Sequence, residues 1–285
     1  MLPLLPARQP DAHKGSFGKA LLIGGARGMA GAIGLAGMAC ARGGAGLTTL
    51  AVPNSSQPVV AGYEPSCMTV GLPEDEAGRI QLAADSPARV ELLIRAEQAT
   101  AVAIGPGLGE SPDLEELVAE LFRKLPNPLV IDADGLNALA KRPQALKQTA
   151  GPRILTPHPG EFGRLTKATG VPGHDQLSQA VRFAETFKCI VILKGHRSLI
   201  TDGEQSEINP TGNAGMATGG SGDVLTGLVT ALLCQGMSPF AAAHLGAHVH
   251  GLAGDLAAEK HGLISLIASD IIKMLPKAFM QLGMG

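Results

Sequence analysis

Tryptophan is absent from the 285 residues, tyrosine occurs once, as Tyr63, and aromatic residues total 3%. Base stacking on aromatic platforms is therefore not the main recognition device. The four cysteines, Cys40, Cys67, Cys189 and Cys234, stand far apart and form no C-x-x-C pair. That spacing suits reduced thiols better than a disulfide frame or a zinc site. The formal net charge is only -2 and no long basic run occurs, so nucleic acid is not an expected partner. No apolar run reaches the roughly 18 residues of a membrane span. The N-terminus, MLPLLPARQPDAHKG, has two prolines in its first six residues and no continuous apolar core, which argues against a secretory signal. The expected location is the cytoplasm.

What is present is a globular balance, 45% hydrophobic and 17% charged, with 38 glycines and 20 prolines that point to many tight turns. Short apolar runs recur at 19–25, 47–53, 100–107, 128–135, 152–160 and 189–195, most of them ending in glycine, proline or aspartate. Continuous Val/Ile/Leu runs without polar alternation suit strands buried on both faces. Helix-like segments are predicted between and after them, at 31–43, 86–97, 112–124, 174–187, 222–236 and 239–259. Alternation of this kind implies an α/β fold with a largely parallel central sheet and helices on both faces. No linker, charge block or repeat divides the chain, so one domain over residues 1–285 is expected. Ligands of such sheets bind outside the carboxyl ends of the strands, where the glycine-rich sequences fall.

The most informative segment is NPTGNAGMATGGSGDVLTGLVTALL, residues 209–233. Val224, Leu225, Leu228, Val229 and Leu232 recur at helical spacing, so a helix starts near Gly222. Gly219, Gly220 and Gly222 around Ser221 let a ligand approach the backbone, and the unpartnered N–H groups of a helix start form an anion site. Asp223 has two readings. It is a helix cap, or it is the base that takes a proton from a substrate hydroxyl while the amides stabilise a phosphoryl group in transfer. The helix dipole is expected to favour its anion and weaken it as a base. No Lys-Ser/Thr follows the glycines, so this is not a Walker A loop, and no G-x-G-x-x-G opens a helix after the first strand.

Other segments support a site without fixing it. His158, between two prolines in LTPHPGEF (155–162), is either a turn residue or a ligand contact at a strand end. LKGHRS (193–198) is either a solvated hairpin or, through Lys194, Gly195, His196, Arg197 and Ser198, a source of donors and positive charge for phosphate oxygens. DADGLN (132–137) reads as a turn with a cap at Asp134 or Asn137. Residues 28–47 read as a small-residue helix packed closely on the sheet, and GPGLG (105–109) follows a strand. His244 and His248 are i, i+4 partners, with His250 nearby, but HLGAH lacks the glutamate of H-E-x-x-H; packed or solvent-facing helix histidines are expected there, and no protein metal site.

Together, HKGSFGKALLIGG (13–25), GAIGLAGMACARGGAGL (31–47), IGPGLG (104–109), DADGLN, LTPHPGEF, LKGHRS and NPTGNAGMATGGSGDVLTG (209–227) resemble the NAD(P)H-hydrate dehydratase family. GGSGD alone points only to the wider kinase superfamily. The resemblance implies a ribokinase-like fold and repair of hydrated NADH or NADPH. ADP or ATP, with Mg2+, would phosphorylate the ring hydroxyl, and phosphate would then leave; ADP would give AMP and phosphate. It implies Asp223 as base, Ile33, Gly109, His158 and Asp223 as contacts to the damaged dinucleotide, and Lys194 to Ser198 with Gly222 as contacts to the adenine nucleotide. It further implies a homotetramer. Because His13 stands so near Met1, no fused epimerase domain is expected, and the epimerase would be a separate protein. The alternatives are a small-molecule hydroxyl kinase of the same superfamily, which would accumulate a phosphorylated product, and a non-catalytic nucleotide-binding protein, which would bind without turnover.

Overall fold

The computed structural model describes residues 1–284. Nine strands form one sheet: β1 Lys19–Ile23, β2 Leu47–Pro53, β3 Met68–Leu72, β4 Ala101–Ile104, β5 Leu129–Ile131, β6 Arg153–Leu155, β7 Ile190–Leu193, β8 Leu199–Thr201 and β9 Ser206–Ile208. The helices are α1 Ala30–Arg42, α2 Gln57–Ala61, α3 Pro87–Gln98, α4 Pro112–Lys124, α5 Ala133–Lys141, α6 Pro159–Thr169, α7 Gln176–Phe187, α8 Ser221–Cys234, α9 Pro239–Ser265 and α10 Ala268–Gln281. Strand order is β3-β2-β1-β4-β5-β6-β7-β8-β9. Pairing is parallel from β3 through β7 and antiparallel at β7–β8 and β8–β9. The chain winds outward from β1 in one direction and from β4 in the other, so a switch point opens at their carboxyl ends. There the two loops are tied together, Gly25 N donating to Pro106 O at 3.0 Å.

Residue alternation along the strands divides the interior into two cores. Leu22, Leu50, Ala103, Val130, Ile154 and Ile192 face α1, α2, α8, α9 and α10. Leu21, Ala51, Val102, Ile131, Leu155 and Val191 face α3 to α7. The first core is built from small residues at close range: a Cβ at Gly227 would strike the Ala36 carbonyl of α1, so only glycine lets α8 lie so near α1. In the second core the helices are amphipathic and end-labelled. In α4, Ser111 caps the N-terminus, Asp113 and Glu115 occupy the first turn, and Arg123 and Lys124 the last, the pattern that complements the helix dipole.

The six apolar runs all become parallel strands, though five end before the runs do, β5 at Ile131 rather than 135. Elements beyond the sequence reading are β3, the β8–β9 hairpin, α2, α5, α6 and α10. The helix expected over 239–259 runs to Ser265, with a break at Gly262, φ 74°. Among the described residues no helix is long and apolar enough to cross a membrane.

Candidate active site

The carboxyl ends of β5, β6 and β7 meet the N-terminus of α8, and their residues build the site. Gly220 precedes α8 with φ 91°, a left-handed conformation that suits glycine, and it turns the chain so that Gly222 and Asp223 fall in the first helical turn. Their amides have no acceptor among the described residues, and the buried Ser221 hydroxyl has no partner there either. Unpartnered amides at a helix start are donors held ready for an anion. The turn is fixed from behind by α9. Ser221 O meets His250 Nε2 at 2.9 Å, and burial pushes His250 down to about 4, so the neutral imidazole donates. The preceding loop is pinned to the same helix: Thr211 Oγ1 donates to His248 O at 2.9 Å, and Gly212 N and Asn213 Nδ2 donate to the Asp255 carboxylate, each at 2.9 Å.

Asp223 is therefore not a cap. Gly220 holds the cap position, and the Asp223 carboxylate accepts no hydrogen bond from a described residue. The expectation that the helix dipole would weaken it as a base is also corrected. Burial, with the neighbouring Asp132 charge adding to it, raises Asp223 to about 7. Desolvation and like charge outweigh the opposing charge of Lys194.

Asp132 is the residue that sequence reasoning missed. DADGLN is not a turn with a cap at Asp134 or Asn137. Ala133, at φ 48°, turns the chain from β5 directly into α5 and leaves Asp132 at the strand end, 1% exposed. Its carboxylate accepts from Lys194 Nζ at 2.8 Å and from Thr226 Oγ1 at 2.8 Å. Burial alone would raise Asp132, but the Lys194 charge and the bonds from Lys194, Thr226 and Thr156 hold it below the usual carboxylate range. The same pairing, with Glu161 3.8 Å away, holds Lys194 above its ordinary value although burial opposes this. Lys194 Nζ lies 3.1 Å from where a Cβ at Gly222 would stand. One of its three donors is thus committed to Asp132, beside the open amides of α8. Gly195 and Ser198 close the hairpin turn through the Ser198 hydroxyl, 3.3 Å from Gly195 N, and His196 and Arg197 are exposed at its tip.

His158 caps α6. Its Nδ1 accepts from Gly160 N at 3.0 Å, while Glu161 accepts from His158 N at 2.8 Å. This box uses histidine where Ser, Thr or Asp is the familiar signal, so Glu161 was also missed. Gly109 N donates to Asp134 Oδ2 at 2.8 Å, which places the Gly109 loop over the start of α5. Ile33 stands apart from these. It is 0% exposed, and a Cβ at Gly25 would come within 2.5 Å of its Cγ2. Its side chain is core beneath the β1 loop, and the expected contact to a ligand through that side chain is withdrawn. His244, His248 and His250 do not converge on a metal; among the described residues no three His, Cys, Asp or Glu side chains gather to hold one.

The arrangement can bind a phosphoryl group on the α8 amides, balance its charge with Lys194 and accept a proton at Asp223. The sequence pattern of the NAD(P)H-hydrate dehydratase family matches residues 20–277. The chain belongs to that family. A bifunctional NAD(P)H-hydrate repair enzyme of Moorella thermoacetica is 45% identical over 275 residues, which are 95% of this chain and 51% of that one. The chain thus spans about half the length of the curated relatives it matches. Among solved structures, an ADP/ATP-dependent NAD(P)H-hydrate dehydratase from Bacillus subtilis, co-crystallised with ATP and Mg2+, superposes with a TM-score of 0.79 at 29% identity, covering 98% of this chain and 94% of that one. A ribokinase from Thermotoga maritima, at 16% identity and TM-score 0.56 over 90% and 99% of the two chains, shows the fold alone, and that fold is ribokinase-like.

Proposed function

We propose that this dehydratase-family chain converts the S-form of hydrated NADH or NADPH to the reduced dinucleotide, with ADP as phosphoryl donor and AMP and phosphate as products. The observation that carries the reading is a carboxyl group raised to about 7 in the first turn of a helix whose leading amides are open. Asp223 takes the proton of the ring hydroxyl as that oxygen attacks the terminal phosphorus. The amides of Gly222 and Asp223, with Lys194, bind the oxygens whose charge changes in transfer. AMP leaves with the electrons of the broken P–O bond. The ring nitrogen then pushes its lone pair toward the carbon bearing the new ester, the C–O bond breaks, phosphate departs, and the adjacent carbon loses a proton to complete the double bond. The water removed from the ring is accounted for in the phosphate. Hydroxide is a poor leaving group, which is why a donor is needed at all.

In the same reading His158 and Gly109 hold the dinucleotide, and Lys194, Gly195, His196, Arg197, Ser198 and Gly222 hold the adenine nucleotide. No three-residue metal cage exists among the described residues; Mg2+ would arrive on the nucleotide phosphates, keeping waters and phosphate oxygens as most of its ligands. A homotetramer in the cytoplasm completes the proposal, and exposed Leu263, Ile264 and Ile267 are apolar surface that such an assembly would cover. The decisive experiment mixes the chain with hydrated NADH and either ADP or ATP and follows the absorbance of the reduced ring. Recovery with stoichiometric phosphate release is expected. A stable phosphorylated product would make the chain a hydroxyl kinase, and binding without turnover a nucleotide-binding protein.

A further inference from the structure

An open cavity of about 680 Å³ lies between α5 and α6, and no residue of the Asp223 turn lines it. Asn137 and Lys141 line it from α5, Arg164 and Lys167 from α6, and Glu110, the residue after Gly109, from the α4 side. Its volume is within the range of small-molecule sites. A polar path joins it to the Gly109 loop. Arg164 Nε donates to Asn137 Oδ1 at 2.9 Å, Asn137 Nδ2 to Asp134 Oδ1 at 3.4 Å, and Gly109 N to Asp134 Oδ2 at 2.8 Å. His158 caps the same helix that carries Arg164 and Lys167.

The cations of this cavity are not equivalent. Lys141 is neutralised by Glu110 at 2.9 Å and Glu115 at 3.4 Å. Arg164 has only the neutral Asn137 as a side-chain partner, which leaves its two terminal nitrogens unused, and Lys167 has no side-chain partner among the described residues. Two unneutralised cations three residues apart on one helix share a face, here the cavity wall. They match a compact dianion. Of the two hydrated dinucleotides, only the NADPH form carries a phosphomonoester on its adenosine ribose. An ADP donor carries none there, and its own phosphates are required at the α8 amides for transfer.

Resting on the dinucleotide reading above, we infer that the α5–α6 cavity takes the adenosine arm of the substrate, with Arg164 and Lys167 binding its 2′-phosphate. The enzyme then prefers the NADPH form, and the preference resides in two side chains outside the reacting centre. Such contacts bind the ground and transition states alike, so their loss raises KM more than it lowers kcat.

The test compares KM for hydrated NADPH, hydrated NADH and ADP in the wild type, the Arg164→Gln/Lys167→Gln double variant, Lys167→Gln alone, and Lys147→Glu. The last lies outside the cavity on an exposed residue and makes the same change in net charge as the double variant. The double variant is expected to raise KM for the NADPH form about tenfold, the size of one charge-assisted contact to phosphate, and for the NADH form and ADP by less than about threefold. Lys167→Gln, which breaks no internal bond, is expected to give about a third of the NADPH effect and keeps the test alive if the double variant folds poorly. Equal changes for both dinucleotides, a change confined to ADP, or an NADPH-selective change in Lys147→Glu each overturn the inference. Binding of adenosine 2′,5′-bisphosphate against 5′-AMP, measured by calorimetry without turnover and with the donor site saturated by ADP, separates the two readings. Selective binding lost in the double variant supports the cavity even where no reduced dinucleotide is restored, and equal binding of both probes defeats it even where repair proceeds.

Discussion

The end of β5 and the start of α8 each present an aspartate to the same space, and the two are held in opposite states. Asp132 is the more completely buried, yet Lys194 and Thr226 keep it ionised. Asp223 is less enclosed, yet without donors it is raised to about 7. Partners, rather than burial alone, decide which carboxyl group carries a charge and which is free to receive a proton. Asp132 anchors a cation beside the Gly220–Asp223 turn; Asp223, with no donor of its own, is left able to take up a proton.

The comparison breaks most visibly at Asp223. Asp223→Asn is expected to lower turnover by roughly 10²–10⁴-fold with nucleotide affinity largely kept, as read by steady-state rates and by calorimetry with ADP. An unchanged rate removes the residue from the mechanism. At the other carboxylate, Asp132→Asn strands Lys194 in a buried place and is expected to cost about 3–5 kcal/mol of stability, measured by denaturant unfolding. Lys194→Ala breaks the same pair from the other side and is expected to cost a similar amount, but it alone should also weaken ADP binding, by about tenfold. Equal nucleotide affinity in the two variants would mean that Lys194 serves only Asp132.

Smaller effects sharpen the contrast. With Asp223 at about 7, kcat/KM is expected to rise about tenfold per pH unit up to neutrality and then level, and the limb should vanish in the residual activity of Asp223→Asn. Stability has the opposite sense. A carboxyl group raised on folding keeps its proton in the native state between about pH 4 and 7 while the unfolded chain has lost it, so stability falls as pH rises through that window. Asp223→Asn is therefore expected to be more stable than wild type at pH 8 by about 1–2 kcal/mol and nearly equal to it at pH 4. Asp132, lowered on folding, contributes stability above its unfolded value that is lost as pH drops below it. Opposite signs at the two sites are the expected result, read by thermal melts of Asp223→Asn across pH 4–8 and of Asp132→Asn from about pH 5 down to about pH 2.

The alternating strands and helices were legible because buried parallel strands leave unbroken Val, Ile and Leu runs. The elements that escaped lack that signature. Met68–Leu72 is a half-exposed edge strand interrupted by glycine, β8 and β9 have three residues each, and α10 contains Pro276. Gly222 and Asp223 were legible because their chemistry is local, a glycine turn running into a helix. Asp132 was not, since its partners lie 62 and 94 residues away and only the meeting of β5, β7 and α8 makes it an ion pair. Ile33 shows the reverse: named by likeness to a motif, its side chain is core because α1 turns that face inward.

Nearly every residue of α8 after its first turn is enclosed, against α1 on one side and α9 on another. The strut that carries the Asp223 carboxylate therefore has no water-facing side along which it can slide or tilt without opening the interior. Movement at this end of the sheet is left to the rim loops and the α5–α6 flank, while the turn from Gly220 to Asp223 stays still.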